Sequence, residues 1–145
     1  MSELEGRPAV KLLGRYAIVV ALLSSFVLAG PAEATDFTAN TSLTIHLSKN
    51  HIQKGQKVKI SGKLKSPKTS CVKDKKIQLF AKANNKPWKQ VAHTHTKNDG
   101  SYAFTRHPKK TKKFKTKFLG TTTGVHPNEH TCLKSASVVK KVQVT

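Results

Sequence analysis

From Leu43 onward, apolar side chains recur at every second position, and Gly, Pro, Asn and Asp bound the stretches that alternate. Leu43, Ile45 and Leu47 alternate with Thr44 and His46. Beyond the turn at Lys54-Gly55-Gln56, Val58, Ile60 and Leu64 alternate with Lys57, Lys59 and Lys63. A third strand is predicted at Ile77, Leu79 and Ala81, and a fourth returns from Asn84-Asn85-Lys86-Pro87 through Trp88 and Val91 to His93 and His95. Lys97-Asn98-Asp99-Gly100 reads as a tight turn, because Asn and Asp tolerate left-handed backbone angles and Gly adopts them freely. Tyr102 and Phe104 follow. Phe114, Thr116 and Phe118 then alternate with Lys113, Lys115 and Lys117, and Ala136, Val138, Val142 and Val144 share the last inward phase. Gly62 falls on the inward phase of its strand, which predicts a bulge or a close backbone approach. A period of two with no helical period predicts an all-β domain, a single antiparallel sandwich of about seven strands over residues 42–145.

The first 34 residues read differently. Tyr16 to Gly30 is an uncharged apolar run behind Lys11 and Arg15, and Ala32 and Ala34 fit a small-residue processing site. The run falls short of the roughly 20 apolar residues of a spanning helix. Residues 1–34 are therefore expected to be a cleavable secretory signal peptide, with 35–41 a short linker. The mature chain is expected to be secreted, held on the cell envelope by non-covalent contacts if at all, and monomeric.

Charge changes the picture more than length does. The chain has 27 Lys and Arg against 7 Asp and Glu, a net charge of +20. The leader's three basic and three acidic residues cancel, so the domain keeps the whole excess, and all its cations but Arg106 are lysines. Lysine attracts anions diffusely, where arginine would make bidentate, shape-selective contacts. Both cysteines, Cys71 and Cys132, follow the leader, and an even count in an oxidising compartment predicts one disulfide between them.

Lys57 to Leu64, Trp88-Lys89-Gln90-Val91, Thr96 to Phe104 and Phe114 to Thr121 together resemble the secreted bacterial immunoglobulin-like and carboxypeptidase-regulatory-like sandwiches, where a V-x-I-x-G-x-L strand, a T-x-x-D-G-x-Y-x-F hairpin and a late F-x-G-T segment recur. The resemblance implies an immunoglobulin-like sandwich with an accessory or adhesive role and no catalysis.

Candidate chemistry centres on lysine. Lys113, Lys115 and Lys117 would share one face of a strand and, with Lys109, Lys110 and Lys112, form a cationic stripe; Lys57, Lys59 and Lys63 repeat the device on the second strand. These nine lysines are the expected polyanion-binding residues. The partner would be a teichoic-type polymer, an acidic polysaccharide, a nucleic acid or an anionic membrane surface, with the envelope ranked first. The alternative is a protein receptor met by the loops around Cys71 and Cys132, with charge serving solubility. A His/Lys ribonuclease ranks below both, since the sequence supplies parts without an arrangement. His126, Glu129, His130 and Cys132 match no standard zinc spacing, so no metal and no cofactor are expected. Trp88 is assigned to the core.

Overall fold

The computed structural model describes residues 35–145; the expected signal peptide lies outside the described residues. The described chain is all-β, with one 3-10 turn at Thr69–Cys71 and no α-helix. Its strands are β1 (Phe37–Ala39), β2 (Ser42–Leu43), β3 (His46–Leu47), β4 (His51–Ile52), β5 (Val58–Lys65), β6 (Lys76–Lys82), β7 (Lys89–His95), β8 (Ser101–Arg106), β9 (Lys112–Phe118), β10 (Thr121–Thr123), β11 (His130–Cys132), β12 (Ser135–Ala136) and β13 (Lys140–Val144).

Thirteen strands stand where about seven were expected, for two reasons. Two long strands are interrupted: β2 and β3 both pair with β5, and β12 and β13 both pair with β9. In addition, β1, β10 and β11 form a small sheet of their own, with β1 drawn from the stretch expected to be linker. The two larger sheets carry the core. One joins β2 and β3 to β5 and then β8, and the other runs β4-β13-β9-β6-β7 with β12 beside β9. Val58, Ile60, Leu64 and Phe104 of the first and Ile77, Leu79, Phe114, Phe118 and Val142 of the second are buried in one apolar cluster. Alternation thus places lysines outside and apolar groups inside on both β5 and β9.

Gly62 is the close approach that its inward phase predicts. Any Cβ there would collide with the Thr44 carbonyl and the Tyr102 ring, because the Tyr102 hydroxyl crosses this space to donate to Thr44 O. The same hydroxyl lies 2.7 Å from Thr116 Oγ1 on β9, so one buried polar chain ties the two sheets together. Burial pushes the Tyr102 phenol up to about 12, against the opposing hydrogen bond from Thr116.

Three expectations need correction. The pairing is not wholly antiparallel, because β1 runs parallel to β11 and β4 parallel to β13. The last inward phase fails at Ala136 and Val138, which are exposed. Ser137 turns in instead, its N–H donating to Thr116 O (3.0 Å) and its hydroxyl accepting from Thr116 N–H (2.9 Å), which swings the neighbouring side chains outward. Trp88 is likewise outside the core cluster. It precedes β7 on the outer face of the larger sheet, where lysines cover it.

Candidate polyanion-binding face

The outer face of the six-stranded sheet is set by register. Lys113, Lys115 and Lys117 on β9 stand directly opposite Lys82, Phe80 and Gln78 on β6, and Lys113 is also opposite Lys141 on β13. Lys82, Lys113 and Lys141 therefore form one row across three strands. Like charges placed directly opposite each other destabilise a sheet, and none of the four acidic residues among the described residues lies on β6, β7, β9 or β13.

Aromatic rings partly offset this repulsion. The Lys115 ammonium lies 4.3 Å from the Trp88 ring centroid and that of Lys82 5.3 Å, while the Lys117 ammonium lies 5.0 Å from the Phe80 centroid. Such contacts contribute roughly 0.5–1 kcal/mol each at exposed positions. Loss of hydration, and then the charges of Lys117 and Lys82, hold the Lys115 ammonium below the usual lysine range. The result is a platform of two rings under the ammonium groups of three half-buried lysines.

The nine expected lysines do not form one site. Lys113, Lys115 and Lys117 belong to this platform. Lys59 and Lys63 lie on the opposite outer face, on β5, with Lys57 just before that strand. There the cross-strand neighbours on β8 are Thr105 for Lys59 and Ser101 for Lys63, and Lys63 pairs with Asp99 at 3.7 Å. Lys109, Lys110 and Lys112 join Arg106 around a cleft of about 340 Å³ over Ala81 and Phe114. Sequence reasoning missed Phe80, Lys82, Trp88 and Lys141. Phe80 carried a usable signal, since it falls on the polar phase between Leu79 and Ala81.

The disulfide forms between Cys71 and Cys132, with Cα atoms 5.5 Å apart, and fastens the connection between β5 and β6 to β11. It also takes Cys132 out of the candidate metal group. His126 Nδ1 is bound to Asp36 Oδ2 at 2.5 Å, and the Asp36 carboxyl is held low by the Glu129 N–H and then by His126. Among the described residues, no three of His, Cys, Asp and Glu gather where they could hold a metal ion.

No protein-family profile and no curated protein sequence matches the chain. In structure it is similar to the superoxide reductase (neelaredoxin) of Ignicoccus hospitalis, at 10% identity and a TM-score of 0.50, over 76% of this chain and 94% of that one. Lesser likenesses are to the sulfur carrier protein SoxY of Chlorobium limicola (15% identity, TM-score 0.41, 78% and 86% covered) and to the sporulation control protein Spo0M of Bacillus subtilis (11%, 0.42, 72% and 49%). The first likeness is one of fold alone. It corrects the expectation that the chain is no enzyme, because an enzyme is built on a similar fold. What the comparisons identify is a β-sandwich-like all-β fold.

Proposed function

We propose that this chain is a secreted, immunoglobulin-like domain that binds anionic polymers of the cell envelope through the outer face of its six-stranded sheet. The row Lys82–Lys113–Lys141 carries the reading. A sheet that keeps three like charges side by side and unpaired departs from the local rule for stability, and such departures concentrate at functional positions. The two rings add purpose to the arrangement. With the lysines folded over Trp88 and Phe80 the face is held against its own repulsion, and an arriving anion replaces the rings as the ammonium partner. Compartment supports an envelope polymer: the disulfide is compatible with an extracellular site, and residues 1–34 have the composition of an export signal.

Trp88 is the sole tryptophan and lies in the face, so its emission reports binding there. The experiment is a titration with purified teichoic-type polymer, heparin and single-stranded DNA at about 50 and 200 mM salt, following affinity and emission together. The reading expects binding that falls steeply with salt, accompanied by a change in emission. Binding that leaves the emission unaltered would move the site elsewhere, and absence of binding at low salt would end the proposal.

A further inference from the structure

Among the described residues, every large apolar side chain that is strongly exposed lies between Leu119 and Val139: Leu119 (64%), Val125 (77%), Leu133 (40%), Val138 (66%) and Val139 (49%). The span from Thr35 to Phe118 contributes none. Single exposed apolar residues need no explanation, but their confinement to one stretch does. Leu119 and Leu133 line one surface depression together with Lys134. An adjoining depression is lined by Lys117, Leu119, Lys134 and Ala136. Val138 and Val139 continue from Ala136 along the same margin of β9, where β12 gives way to β13. Val125 is separate, at the tip of the β10–β11 hairpin near the Asp36–His126 contact.

We infer that this margin is a docking edge for an anionic lipid bilayer, with Leu119, Leu133, Val138 and Val139 entering the interface and Lys117, Lys134 and Lys140 meeting the headgroups. Apolar side chains and lysines alternate closely here, as in peripheral elements that combine buried apolar area with attraction to anionic lipid. Charge complementarity selects the occupant. The one acidic residue between Leu119 and β12 is Glu129, and it lines neither depression, whereas Lys117 and Lys134 do. Rigidity suits the role as well. Leu133 follows Cys132, whose disulfide fixes it to the connection after β5, and Ser137 anchors the valines through its two bonds to Thr116. This inference shares Lys117 with the polymer face but rests on the exposed apolar side chains beside it and not on the rings of Trp88 and Phe80.

The test is co-sedimentation of the protein, in the form the producing cell accumulates, with vesicles of phosphatidylcholine alone and of phosphatidylcholine with phosphatidylglycerol. The variants are Leu119→Ser/Leu133→Ser and, separately, Val138→Ser/Val139→Ser. All four positions are solvent-exposed, and circular dichroism together with unchanged heparin affinity checks the fold. Binding that requires phosphatidylglycerol and weakens about tenfold or more in each double variant is expected, given the burial contributed by each side chain. Equal vesicle binding by wild type and variants would overturn the docking edge while leaving the polymer face intact. A wild-type dimer in sedimentation velocity that either double variant dissociates would also overturn it, by showing that the margin packs against a second copy. Loss of heparin binding in the wild type would instead strike the polymer reading alone.

Discussion

β9 and β5 carry the same sequence device, lysine on all outward positions of β9 and on all but Ser61 of β5, yet the two faces they form differ in what surrounds each charge. On β5 the cross-strand neighbours are Ser101, Ala103 and Thr105, and Lys63 has Asp99 at 3.7 Å. On β9 the neighbours are Lys82, Phe80, Gln78, Ala136 and Lys141, with two ammonium groups over Trp88. The β5 face is an ordinary solvated surface whose charges are spread and partly paired. The β9 face concentrates charge and supports it on rings. Charge density in the sequence therefore marks both strands, while the cross-strand partners separate a candidate site from a soluble surface.

The largest expected effect breaks this contrast directly. Lys113→Gln/Lys115→Gln/Lys117→Gln should weaken binding to an anionic polymer on the order of 30-fold or more at low salt, at roughly 0.7–1 kcal/mol per exposed charge. Lys59→Gln/Lys63→Gln/Lys65→Gln removes as much charge and should cost less than about threefold if net attraction alone is lost. Equal losses, read by calorimetry at matched ionic strength, would show that the two faces act as one diffuse field.

A smaller effect isolates the rings. Trp88→Ala removes the surface over which Lys82 and Lys115 are held, so their ammonium groups spread apart under mutual repulsion. Polymer affinity should fall about fivefold, consistent with roughly 1 kcal/mol for a Lys–Trp contact. The β5 face contains no equivalent, and an Ala103→Ser change there should leave affinity unchanged in the same assay.

These two experiments also mark where the sequence was legible. The period of two on β5, β6 and β9 reflects burial of one side of each strand, and it correctly anticipates Ile60, Leu79, Phe114 and Phe118 in the core. The pairing of Cys71 with Cys132 is what the even cysteine count and the expected oxidising compartment predict. The platform was hidden because it depends on register, which brings Lys113 between Lys82 and Lys141 from segments far apart in the chain. Trp88 was misplaced because aromatic residues usually fill cores, and nothing local reveals the two lysines that cover its ring. Ser137 shows the converse: a polar residue entered the interior because Thr116 offered both backbone groups as partners, and Val138 was displaced from the phase that alternation gave it.

Protonation sharpens the comparison further. Lost hydration lowers the Lys115 ammonium from its ordinary value, with Lys117 and Lys82 adding to the shift. Lys115 therefore loses its proton earlier than an unperturbed lysine as pH rises, and a bound anion favours the charged form. Polymer binding should accordingly take up protons on the alkaline side, measured by calorimetry in two buffers of different ionisation enthalpy. Lys115→Gln should abolish that uptake, whereas Lys63→Gln should not.

The smallest effect lies on the β5 face itself. Asp99 accepts from the Ser101 hydroxyl (2.7 Å) and N–H (3.0 Å), and these bonds, with a lesser contribution from Lys63, hold its carboxyl below the usual range. A depressed carboxylate supports the fold above its unfolded value and loses that support as pH falls through the lower, folded one. Asp99→Asn should thus flatten the acid limb of thermal stability slightly, and it leaves Lys63 without its counter-charge. If pairing is what keeps the β5 face passive, polymer affinity should rise, by less than about twofold because an exposed ion pair contributes little. A rise that depends on Lys63, and vanishes in Lys63→Gln/Asp99→Asn, would assign the difference between the faces to local partners; an unchanged affinity would assign it to the rings and the lysine row alone.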